Sequence, residues 1–122
     1  MVNPNEVYQR NQITTARPEE LTMMLYNGAL RFVVQAKAAI EKQDLAKAHS
    51  LMIRTQEIMT ELMLTLNPDY EISESLLNLY DYMKRRLIDA NIQKDIVILE
   101  EIENMIVELK TTWGQAMKLA KP

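Results

Sequence analysis

The sequence predicts an all-α fold: an antiparallel up-down four-helix bundle with an N-terminal leader segment. Three observations carry this. The 122 residues hold only two glycines and four prolines. The prolines, at positions 4, 18, 68 and 122, stand at ends or joints, so long stretches run without a breaker. Apolar residues recur along those stretches with the period of a helix. The joins after the first and third stretches are only a few residues long, which forces their neighbours to run antiparallel. A chain of this length suggests one domain, read as a leader over residues 1–17 and a bundle over residues 18–120.

The first helix is expected from Pro18 to Lys42. Proline suits the first turn, where its missing N–H costs nothing, and Glu19 and Glu20 favour the positive end of the helix dipole. The second is expected from Asp44, as N-cap, to Leu66. "NPDYEIS" reads as a loop. Ser73 is expected to cap the third helix, which ends near Ile92, and Asp95 to cap the fourth, which reaches Ala120. The leader is polar with isolated apolar residues, Val7, Tyr8 and Ile13, and is either disordered or docked.

At 100° per residue, three helices show one main apolar arc each. The second collects Leu45, Met52, Met59, Leu62, Met63 and Leu66. The third collects Leu76, Leu79, Tyr80, Met83, Leu87 and Ala90, and the fourth Ile98, Ile102, Met105, Leu109, Trp113 and Ala116. The first helix is apolar on two sides. Leu21, Met24, Leu25, Gly28, Phe32, Ala36 and Ala39 share one face, and Met23, Tyr26, Leu30, Val33 and Val34 the other. Gly28 is expected to give a neighbouring helix room to approach. Ile53, Leu64, Leu77 and Ile88 also lie off their helices' main arcs. This surplus, with nine methionines, predicts a surface covered by the leader, a second copy or another protein, because methionine is over-used where a surface adapts to its partner.

The composition removes other classes. Without cysteine there is no thiolate catalysis and no cysteine–zinc site. No apolar run is long enough to span a membrane, and the polar N-terminus does not read as a signal peptide, so a cytoplasmic protein is expected. The net charge of −3 argues against nucleic-acid binding. The basic run Lys84-Arg85-Arg86 is flanked by Asp81 and Asp89 and reads as a solvated face. A di-iron bundle needs paired Glu-x-x-His motifs, and His49 is the sole histidine. Glu100, Glu101 and Glu103 fall on the polar side of the fourth helix. No catalytic residue, cofactor or metal site is predicted, and a non-enzyme is expected.

Two stretches, "YQRNQITTARPEELTMMLYNGALRF" and "LYDYMKRRLIDAN", resemble the flagellin-specific export chaperones, the FliS family. The resemblance spans nearly the whole chain in helix order. It departs at Arg17, where a small hydroxyl residue is the better N-cap. It implies a cytosolic four-helix bundle that binds the C-terminal segment of flagellin in apolar grooves and prevents premature polymerisation before secretion. It also implies a leader that competes for those grooves, and it leaves flagellar export apparatus components as further partners. The partner-binding residues it implies are Tyr8 and Ile13 in the leader, Leu21, Met24, Leu25 and Tyr26 in the first helix, and Leu79, Tyr80, Met83 and Leu87 in the third. Among these, Tyr8, Ile13 and Tyr26 are the expected exchangeable contacts, since a tyrosine hydroxyl tolerates a partly wet groove. Two other readings stay open: a histidine-phosphotransfer bundle using His49, and a self-associating structural bundle that forms a homodimer.

Overall fold

The computed structural model describes residues 17–120. Tyr8 and Ile13 lie outside the described residues. Four helices follow one another: α1 (Pro18–Glu41), α2 (Leu45–Leu64), α3 (Ile72–Gln93) and α4 (Ile96–Ala120). Each end falls within two residues of its expected place. α1 packs on α2 and α4, and α3 packs on the same two helices, so sequence neighbours are spatial neighbours around an up-down ring.

The helix boundaries have local causes. Arg17 is extended and offers no side-chain cap; Pro18 occupies the first turn, and the Arg17 guanidinium reaches Glu20 at 2.6 Å. Asp44 caps α2 by accepting from the Lys47 N–H at 3.2 Å. Asp95 does the same for α4, accepting from the Val97 N–H at 2.8 Å. Gln43 and Lys94, within the two short joins, turn the chain in the left-handed region at φ 61° and 50°. Ser73 is not the cap of α3. The helix begins one residue earlier, and the Ser73 hydroxyl donates to the Asn67 carbonyl instead, tying the loop to the first turn.

The core fills the space between the four helices. α1 lines it with Ala29, Val33, Ala36 and Ala39, small residues that let the other helices come close. α2 contributes Met52, Met59 and Leu62, α3 Met83 and Leu87, and α4 Leu99, Ile102 and Ile106, all fully buried. Thr55 is buried too, and its hydroxyl donates to the Leu51 carbonyl one turn back, which satisfies it. Leu45 and Ala116, expected in core arcs, are exposed; Leu45 is the first residue of α2, and Ala116 stands near the end of α4. None of the eight described methionines is exposed. They fill the interior and its rim, so their flexibility serves packing and not the open surface.

Candidate partner-binding surface

A surface that holds a client needs apolar atoms the folded chain leaves uncovered. The first helix's second face does not supply them. Tyr26 and Val33 are sealed, Met23 and Leu30 are half-buried, and only Val34 of that set is exposed. The reason is geometric. Every helix of the ring has two neighbours, and α1 offers an apolar flank to each, while Tyr26 faces the centre and meets Tyr80 of α3. Toward α2, Phe32 lies under the Arg54 guanidinium, 4.3 Å from the ring centroid, and Gly28 faces Ile58. Toward α4, Met23 packs over Gly114, and Lys37 meets Glu103 at 3.1 Å. α1 uses both of its apolar sides within the bundle. Gly28 is not required for the approach, since an alanine Cβ there would stand 3.4 Å from the tip of Ile58, an ordinary contact.

Tyr26 is thus a core residue, not a wet groove contact. Its hydroxyl and that of Tyr80 share a hydrogen bond of 2.5 Å across the bundle, with ring centroids 6.4 Å apart. Burial pushes both phenols above their ordinary range, Tyr80 furthest. Tyr80, Met83 and Leu87 are sealed with it. Leu21, Met24, Leu25 and Leu79 are half-buried and keep atoms at the surface.

Uncovered apolar side chains lie along the outer groove between α2 and α3, while Val34, Leu45, Tyr82, Val97, Val107 and Leu119 are exposed as well. Ile53 and Leu64 on α2 are exposed, as are Leu77 and Ile88 on α3. Each pair is eleven residues apart, three helical turns, and so shares one face. Cross-links place those faces along the groove. Thr60, on the Ile53–Leu64 face, accepts from Lys84, on the Leu77–Ile88 face, at 2.8 Å. Nearer the other end, Asn91 donates its amide N–H to His49 Nδ1 at 2.9 Å, oriented by Lys94, which donates to the Asn91 amide oxygen at 2.8 Å. His49 therefore serves as a strut between α2 and α3. Ile92 continues the α3 row, and Tyr70 and Ile72 extend apolar surface at the far end, all exposed.

Gln56 stands one turn before Thr60 on the groove side of α2. Its amide Nε2 is shielded from solvent yet has no hydrogen-bond partner among the described residues. A buried donor left unpaired costs about 1–3 kcal/mol. The rows of the groove were visible in the sequence as off-arc apolar residues. Gln56 was not, because nothing in its spacing marks a polar residue whose donor goes unmet.

In the basic run, Arg85 and Arg86 pair with carboxylates and Lys84 donates to Thr60. Arg85 meets Asp81 at 3.2 Å, and Arg86 meets Glu101 at 3.0 Å. Among the described residues, no helix is long and apolar enough to cross a membrane.

Comparison with known proteins gives a consistent picture. A family model described as flagellar protein FliS matches residues 1–120. The flagellar secretion chaperone FliS of Bacillus subtilis (strain 168) is 44% identical over 116 residues, covering 95% of this chain and 87% of the other. That of Salmonella typhimurium is 33% identical over 113 residues, covering 90% and 84%. A crystal structure of a bacterial flagellar chaperone superposes with a TM-score of 0.79 at 21% identity, over 95% of this chain and 98% of that one, which supports the bundle fold.

Proposed function

The chain belongs to the FliS family of flagellar secretion chaperones, and from that premise we propose that it binds the C-terminal segment of flagellin in the cytoplasm and holds it unpolymerised until export. The α2–α3 groove carries this reading: two exposed apolar rows flank a shielded amide with no partner among the described residues. An amphipathic client helix laid in such a groove buries its apolar side against Ile53, Leu64, Leu77 and Ile88. Half-buried Leu21, Met24 and Leu25 lie on α1, outside that groove, and with Leu79 they are proposed contacts for a client segment that continues beyond it. Sealed Tyr26, Tyr80, Met83 and Leu87 hold the helices that frame it.

The role needs affinity and no turnover, so the protein works as a binding chaperone and not as an enzyme. Burying about 1,000 Å² of apolar surface yields roughly 25 kcal/mol gross. Ordering a disordered client and losing its free motion consume most of that, leaving nanomolar to micromolar binding.

The test is a titration of a flagellin C-terminal peptide against wild type and Ile88→Glu. Ile88 is exposed, so the variant should keep its helical circular dichroism while affinity falls at least tenfold. Unchanged affinity in the folded variant would remove the α2–α3 groove as the seat. Light scattering in the same titration separates a one-to-one complex from self-association of the bundle.

A further inference from the structure

Three polar side chains of α2 stand in one line along the groove. At 100° per residue, His49, Gln56 and Thr60 fall within about 40° of one another. The outer two bond across to α3: His49 to Asn91 at 2.9 Å, and Thr60 to Lys84 at 2.8 Å. Gln56, between them, therefore faces α3 as well. It stands against the stretch from Lys84 to Asn91, which carries exposed Ile88. Yet its Nε2 is shielded and meets no partner among the described residues. The residue as a whole is half-buried, so its side chain reaches the groove surface from the floor between the two apolar rows.

A client seated on Ile53 and Leu64 of one row and Leu77 and Ile88 of the other covers Gln56. A primary amide carries two N–H donors and an acceptor oxygen. Each of these left unmet in a sealed interface weakens binding, so an apolar helix alone is rejected at this point. A second primary amide answers it. Its oxygen accepts from Nε2, and its nitrogen donates to Oε1. Glutamine turns about three side-chain bonds, so the amide swings toward the client while α2 stays in place. A carboxylate fits less well. Lys84 stands in the groove, but Glu57 and Glu61 are exposed beside the α2 row, so a carboxylate loses its hydration without a favourable field to replace it. Resting on the α2–α3 groove as the client's seat, we propose that Gln56 is a specificity-determining contact: it selects a side-chain amide, asparagine or glutamine, on the client face that lies in the groove.

The test is calorimetric titration of a flagellin C-terminal peptide against the full chain as wild type, Gln56→Met and Ile88→Glu. Methionine keeps the length of glutamine and removes its polar atoms. Gln56→Met should bind the peptide about tenfold more weakly, the scale of a hydrogen bond whose partner is left unmet. Its own melting temperature should hold or rise, because the free chain loses an unmet donor. In the peptide, each asparagine is then replaced by leucine and each glutamine by methionine, one at a time. One of these changes should weaken binding to wild type about tenfold and leave binding to Gln56→Met unchanged or tighter, the coupling expected of two groups in contact. The matching acid at that position, aspartate or glutamate, should also bind wild type more weakly. Undiminished binding by Gln56→Met, a lowered melting temperature of that variant, a peptide series with no position coupled to Gln56, or tighter binding of the acid would each overturn the proposal. If Ile88→Glu weakens binding and Gln56→Met does not, the groove stands as the seat and the selection by Gln56 falls alone. If neither weakens it, both fall.

Discussion

Replacing Tyr26 with phenylalanine removes one oxygen from a sealed pair. Tyr26 and Tyr80 are each 1% exposed, and their hydroxyls bond to each other. In Tyr26→Phe the ring still fills its space, but the Tyr80 hydroxyl loses its partner in a site that admits no water. That loss costs about 1–3 kcal/mol, or a melting temperature lowered by roughly 4 °C or more in a bundle of this size. Tyr80→Phe should cost a similar amount. Removing both hydroxyls leaves no orphan, so Tyr26→Phe/Tyr80→Phe should be close to wild type, with a coupling of about 1 kcal/mol or more between the sites. Urea denaturation followed by circular dichroism measures all four corners of this cycle. The same pair predicts a pH dependence. Burial raises both phenols above their ordinary value near 10. Above that pH the unfolded chain releases protons the native state still holds. Stability is therefore intact below about pH 10 and falls as pH rises beyond it, by up to about 1.4 kcal/mol per pH unit for each phenol. The double phenylalanine variant should lose this part of the alkaline slope. Additive single losses, or an unchanged alkaline slope in the double variant, would refute the reasoning.

Two further substitutions test the backbone. Gly28→Ala should stabilise the protein by up to about 1 kcal/mol, since alanine is the better helix former and its Cβ meets only the tip of Ile58 at 3.4 Å; a lowered melting temperature would show that α1 and α2 need the glycine after all. Gln43→Gly should also stabilise, by about 1 kcal/mol, because Gln43 holds φ at 61° where a Cβ is strained. A neutral result in thermal melts would mean the join relaxes around glutamine without cost.

Much of the fold was legible because helices announce themselves locally. Asp44 and Asp95 cap as expected, and Pro18 opens α1, since each acts through groups a few residues away. Ser73 misled because its hydroxyl serves equally well as an acceptor at a cap or as a donor to a loop carbonyl, and only the path of residues 65–71 decides which. Ile53, Leu64, Leu77 and Ile88 stood off their arcs in the sequence and stand at the surface in the fold. Tyr26 stood off its arc as well, yet it is core. Its helix has two neighbours, and its hydroxyl finds Tyr80, fifty-four residues away.

The sequence by itself determined the number of helices, their ends to within two residues, their antiparallel order and the family, because periodicity, caps and short joins are properties of neighbouring residues. Only the tertiary structure decided which apolar surplus is covered. An apolar side chain has the same transfer energy wherever it lies; whether it is buried depends on which helix comes to rest beside it. Tyr26 is buried because Tyr80 of α3 comes to rest against it across the bundle. The outer side of α2 and α3 has no fifth helix, and there the surplus stays uncovered.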